Sequence, residues 1–178
     1  MQYQHNKYTE SIQLTYEHVV RMLLHLKNVK DKYNSITSPD DITKEVYRDS
    51  IIKKYEMLED LTWKLLSKIF KSTGLDINNP RGCYKQAFKE GWIQDVALWD
   101  EILLSRNSSA HIYDEGDYEQ LKNKIVECYI DAFEQLLEHI SIYLRENVYS
   151  CDILFEDKVE GEIKNQIEKD GIVIYMQP

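Results

Sequence analysis

Apolar residues recur along this chain at steps of three and four over long stretches. Across residues 8–33, Ile12, Tyr16, Val19, Leu23 and Leu26 fall on one side, the mark of an amphipathic helix. A polar break follows at 34–39, and Ser38-Pro39-Asp40-Asp41 carries the chemistry of a helix start. A second helix is predicted over 42–72, with Val46, Ile51, Tyr55, Leu58, Leu61, Leu65 and Ile69 as its seam and Thr73-Gly74 as its stop. The loop 76–82 leads to a short helix over 83–89, with Ala87 and Phe88 inward, broken at Gly91. Another helix is predicted over 94–105, where Trp99, Ile102 and Leu103 keep the helical period. The last, 117–147, lines Leu121, Ile125, Cys128, Ala132, Leu136, Ile140 and Leu144 along one side. The pattern predicts an all-α protein, an up-and-down bundle of four or five helices.

The period changes near residue 149. Cys151-Asp152-Ile153-Leu154-Phe155 reads as a short strand, 158–169 as a helix capped by Gly171, and Ile172-Val173-Ile174-Tyr175 as a second strand. Two short strands need a partner edge. The expected organisation is therefore a helical bundle over 1–148 and a β-α-β appendage over 149–178. Only 6 Gly and 3 Pro in 178 residues agree with long helices and few turns. The net charge of -9 argues against non-specific binding to polyanions, so any nucleic acid would be met at a local site. Three cysteines, Cys83, Cys128 and Cys151, show no paired spacing and suit reduced thiols in a cytoplasm. No apolar run is long enough to span a membrane, and the polar start MQYQHNKYTE is no signal peptide.

Candidate chemistry concentrates at 104–115, Leu-Ser-Arg-Asn-Ser-Ser-Ala-His-Ile-Tyr-Asp-Glu. Turn and cap residues place it at the end of a helix. The Arg106 guanidinium can hold a phosphate by two hydrogen bonds, and the His111 imidazole can move a proton near neutral pH. These are the minimum parts for metal-free phosphodiester cleavage. The plain alternative is that Arg106 pairs with an acidic neighbour and His111 closes the helix end. His18 and His25, two turns apart, lack the further ligands that a metal needs, so no metal site is expected. Asp49, Glu56, Glu59 and Asp60 on the second helix read first as a solvated face or as partners for Arg and Lys.

Four groups of residues, taken together, carry a resemblance. They are Arg48-Asp49 with Tyr55-Glu56 and Asp60 through Trp63-Lys64; Asn79-Pro80-Arg81; Gly91-Trp92-Ile93 through Trp99; and Arg106-Asn107 through His111-Ile112-Tyr113-Asp114-Glu115. In this order and spacing the chain resembles the nucleotidyltransferase substrate-binding protein family, a branch of the HEPN helical-bundle superfamily, over residues 8–147. Tyr55 and Asp60 stand where that family usually has Phe and Glu. The resemblance implies a HEPN bundle that forms a homodimer. It also implies a metal-independent endoribonuclease toxin with Arg106, His111 and Asn107 as catalytic residues at the dimer cleft. RNA, not DNA, would be its substrate, because the 2′-hydroxyl is the nucleophile. It implies further that a cognate minimal nucleotidyltransferase, the antitoxin, attaches AMP to Tyr113. The added charge and bulk would repel RNA. The Mg-ATP for that step would belong to the partner, leaving this chain without a cofactor. Asp114-Glu115 would either orient that metal–ATP complex or begin the last helix at its positive end.

The tail, Asp152-Ile153-Leu154-Phe155 through Asp170-Gly171-Ile172-Val173-Ile174-Tyr175, is similar to the last strand–helix–strand of a minimal nucleotidyltransferase. The Gly-Ser turn and Asp-x-Asp strand of such an enzyme are absent, so this chain is not expected to transfer nucleotides. Two functions are therefore expected as alternatives: the ribonuclease toxin, or a non-catalytic subunit that binds substrate or nucleotide for a two-component nucleotidyltransferase.

Overall fold

The computed structural model describes residues 2–37, 42–109, 111 and 114–147, with side chains from Glu10 onward. Helix α1 runs Gln2–Ser35, α2 Ile42–Ser72, α3 Pro80–Lys89 and α4 Val96–Ser109. A last rod comprises α5, Glu115–Lys124, a π-helical turn at Ile125–Tyr129, and α6, Ile130–Asn147. Among the described residues there is no strand, and the described part of the chain is all-α as its periodicity predicts. The strand–helix–strand expected after residue 149 lies outside the described residues. Residues 1–141 make one compact unit; of the second, Ile142–Pro178, the described part is the end of α6. No described helix is long and apolar enough to cross a membrane.

The central element is α2, which lies against α1, α3, α4, α5 and the π turn. Its chain of fully buried residues explains this position: Ile51, Tyr55, Leu58, Leu65, Leu66 and Ile69 are at most 1% exposed. A stripe this wide buries against several neighbours at once. Val46, expected in the seam, is 61% exposed, because Arg48 takes the inward place on the first turns. Helix α1 is antiparallel to α2: Lys68 near the end of α2 reaches Ser11 and Thr15, while Lys44 at its start sits over the Tyr33 ring. The inward side of α1 is Ile12, Val19, Leu23, Leu26 and Tyr33.

Helix ends follow their local chemistry. Gly74 at φ +90° ends α2, with Leu75 N–H donating to the Phe70 carbonyl at 2.8 Å. That is a left-handed cap that a side chain would strain. Gly91 at φ +76° does the same for α3. Asn79 caps the start of α3, accepting from Gly82 N–H at 2.7 Å ahead of Pro80. Phe88, expected inward, is 47% exposed, and Tyr84 fills the core instead.

The π turn is the feature that sequence periodicity did not foresee. The Ile130 N–H donates to the Ile125 carbonyl, one residue further back than in an α-helix. The extra residue rotates the rest of the rod, so Cys128 faces out while Ile125, Tyr129, Phe133 and Leu137 face in at steps of four. The rotation brings aromatic rings together, Tyr55 with Tyr129 at 5.5 Å between centroids and Trp99 with Phe133 at 5.1 Å, and Tyr84 of α3 packs on Trp99 of α4 at 4.7 Å.

Candidate functional site

The end of α4 meets the middle of α2 in a polar seam, and the seam contains most of the suggestive residues. Helix α4 extends past its expected end at Ser105 and carries Arg106, Asn107, Ser108 and Ser109 in its final turn. Ser108 and Ser109 donate back to the carbonyls of Ser105 and Arg106, which supports a turn of weak helix formers. The single proton of the Ser109 hydroxyl has a second, charged acceptor in Glu56 Oε1 at 2.6 Å. Burial pushes the Glu56 carboxyl up, but hydrogen bonds from Ser109 and Lys53 outweigh it and leave the group below its usual range.

Glu59 lies deeper. It is 1% exposed, accepts a hydrogen bond from the Tyr84 hydroxyl at 2.8 Å, and has Arg106 Nε 3.6 Å away. Burial raises its carboxyl above the usual range, and the Tyr84 bond and Arg106 charge only partly offset this. Burial and the Glu59 charge hold the Tyr84 phenol well above its usual value. Arg106 is therefore the counter-charge of a buried carboxylate. Glu59 was not legible as buried from charge alone. Its position four residues after Tyr55, on the stripe that continues through Thr62, was the available signal.

A second layer flanks this pair. Ser105 donates to the Tyr129 oxygen, and the Tyr129 hydroxyl donates to Glu101 Oε1, each at 3.0 Å. Lys124 binds the same carboxylate at 2.6 Å. Bonds from Lys124 and Tyr129 lower the Glu101 carboxyl, and burial lifts the Tyr129 phenol to about 12. Ser105, Ser108, Asp117 and Lys124 line a shallow hollow of about 130 Å³ beside it.

The other motif residues also serve the architecture. Arg48, 8% exposed, joins Glu115 at 3.0 Å and Asp49 at 3.3 Å, and lies on the Tyr118 ring at 5.6 Å. It ties the start of α2 to the start of α5. Burial works against its charge, but the bonds it donates to Glu115 and Asp49 win and raise the group. Asp114 caps α5 through Gly116 N–H, so Asp114-Glu115 begin the helix. The Tyr55 hydroxyl donates to the Ile102 carbonyl at 2.5 Å, and Arg81 pairs with Asp100 at 3.2 Å. The acidic residues of α2 thus act as ion-pair and hydrogen-bond partners. Glu59 is the expected partner for an Arg, but it is buried rather than on a solvated face.

Of the four expected site residues, Arg106 is half-buried on Glu59, and Asn107 is exposed on the same final turn. His111 is exposed just beyond it, its backbone N–H donating to the Ser108 carbonyl at 2.9 Å. Tyr113 lies outside the described residues. Among those described, no group of three His, Cys, Asp or Glu is placed to hold a metal.

A helical bundle centred on one long helix, with Arg106 of α4 set against Glu59 of α2 in a polar seam, is the class of protein that the fold and the site define. The family model described as nucleotidyltransferase substrate binding protein like matches residues 14–142, and the chain belongs to that family. No curated protein matches the chain.

Proposed function

We propose that this protein is a non-catalytic subunit that binds substrate for a separate nucleotidyltransferase. The observation that carries this reading is the state of Arg106. A guanidinium whose Nε stands 3.6 Å from a buried carboxylate is partly engaged by the fold and is less available as a free clamp for a phosphate. Family membership supports the same reading and names the kind of partner. Separate hydrogen bonds from Ser109 to Glu56 and from Tyr129 to Glu101 tie α4 to α2 and to the π turn, the kind of fixed placement a docking face requires. Co-purification of the full chain with a minimal nucleotidyltransferase tests the proposal. A stable complex that transfers nucleotide only when this chain is present is the expected result. A transferase indifferent to the chain would refute it.

The second reading is the ribonuclease toxin, a homodimer that cleaves RNA with Arg106, His111 and Asn107 and is silenced by AMP on Tyr113. What favours it is the exposed His111 five residues from Arg106, which remains 38% exposed itself. Expression of the chain alone separates the two readings. A toxin stops growth and loses that effect in His111→Ala, whereas a presenting subunit is harmless in both forms. Labelled ATP with the partner tests Tyr113: label that persists in Tyr113→Phe removes it as the sole acceptor. Under either reading the 149–178 tail is proposed to complete a partner's sheet or to dock on the bundle of a second protomer; deletion of residues 151–178 that leaves partner binding and dimer stability unchanged would refute this.

A further inference from the structure

We infer that the groove between α1 and α2 binds a nucleotide, with its phosphate on Lys68 and its base on Trp63. The groove holds about 460 Å³ and is lined by Thr15 and His18 of α1 and by Trp63, Lys64, Ser67 and Lys68 of α2. That volume lies within the roughly 300–1,000 Å³ of small-molecule sites. It is too large for a lone inorganic anion.

Lys68 supplies the charge argument. Its ammonium is half-buried and donates to Thr15 Oγ1 at 2.7 Å and Ser11 Oγ at 3.1 Å. Both partners are neutral. Among the described residues no carboxylate pairs with it; Lys54 and Lys71 of the same helix have none either, and what sets Lys68 apart is that two hydroxyls hold it half-buried in the groove. A half-buried cation held only by neutral hydroxyls keeps its charge uncompensated inside the groove, and an anion that enters there supplies the missing partner. The holding is built. Thr15 sends its own proton to the Ser11 carbonyl at 2.8 Å, which leaves its oxygen lone pairs for Lys68. The third N–H of the ammonium remains for the ligand. His18, one turn beyond Thr15, stands exposed at the rim.

Trp63 supplies the ring. Its indole N–H is bound to Asp60 Oδ1 at 3.3 Å, which sets the plane of the side chain. Asp60 in turn occupies the Lys64 ammonium at 2.6 Å, leaving Lys68 as the groove's uncompensated lysine. A planar base on an indole and a phosphate on an ammonium are the two halves of nucleotide recognition without sequence readout. The inference goes beyond the partner-subunit reading, because it concerns the chain alone and a surface away from the α4 corner.

The test is equilibrium dialysis of the full chain against labelled AMP, labelled ATP and inorganic phosphate, together with the Trp63 indole N–H signal in NMR titrations. Saturable binding of AMP or ATP with a shift of the Trp63 signal is expected. Lys68→Met should weaken binding at least tenfold, Trp63→Leu likewise, and Lys68→Arg should keep it within about threefold. Arg81→Ala, which removes one positive charge elsewhere, should leave it unchanged. Melting curves identify a variant that has lost its fold, and the NMR titration of the unaltered chain then decides alone. No saturable nucleotide binding at millimolar concentration, or binding that survives both Lys68→Met and Trp63→Leu, would overturn the inference. So would inorganic phosphate binding as tightly as AMP without moving the Trp63 signal. Nucleotide binding with no transferase complex would sink the partner reading and leave this one standing.

Discussion

Replacing Arg106 with alanine separates a structural arginine from a free catalytic one, because the two roles predict different stabilities. In the folded protein the side chain neutralises Glu59, which is 1% exposed. Breaking a fully buried ion pair costs about 3–5 kcal/mol, while an exposed pair is worth about 0–1. This pair is intermediate. Arg106 is 38% exposed and its Nε stands 3.6 Å from the carboxylate, and the Tyr84 hydroxyl stays on Glu59 when Arg106 is gone. The expected loss is about 1–2 kcal/mol, or roughly 3–6 °C in Tm.

The pH dependence sharpens this test. Glu59 already has a raised pKa, so folding favours its protonated form. Its contribution is most favourable in acid and is lost as pH rises through the raised value. Removing Arg106 raises that value further and widens the window over which the charged carboxylate is penalised. The variant's deficit should therefore be larger at about pH 8 than at an acid pH at which Glu59 has taken up a proton. In a Glu59→Gln background, Arg106→Ala should cost little, and the difference measures the pair directly. Thermal melts by circular dichroism at the two pH values are sufficient. Equal Tm for the parent and Arg106→Ala at both would refute the reasoning and return Arg106 to the pool of free cationic groups.

Three further outcomes are expected. Leu65→Ala, at a fully buried site in the centre of α2, should lose about 2–5 kcal/mol in urea unfolding, since α2 contacts α1, α3, α4 and α5 together. Asn79→Ala should cost about 1 kcal/mol by removing the α3 cap, and Asn79→Asp should keep most of the stability. The Cys83 thiol, buried and pushed up to about 11, should stay unreactive toward a disulfide reagent at pH 8 until the protein unfolds, whereas exposed Cys128 reacts at once.

Much of the fold was legible in the amino-acid order, because helix formation here rests on local information. The apolar steps of three and four in α2, the Asn79-Pro80 start and the Gly74 and Gly91 stops each act within a few residues. The motif residues Arg48, Tyr55, Glu56, Trp99 and Arg106 were legible as a set, though not by what each touches. Three matters were decided only in three dimensions. The π turn at Ile125–Tyr129 rotates Cys128 outward and Phe133 inward, an outcome settled by packing of the Tyr55, Tyr129 and Phe133 rings. Glu59 is buried because Tyr84 of α3 and Arg106 of α4 arrive from distant sequence to satisfy it. Lys68 lacks a carboxylate partner among the described residues because α1 meets its ammonium with the hydroxyls of Ser11 and Thr15. Periodicity reports which side of a helix turns inward; whether a charge meets its opposite depends on which other helix comes to lie beside it, and no local pattern carries that.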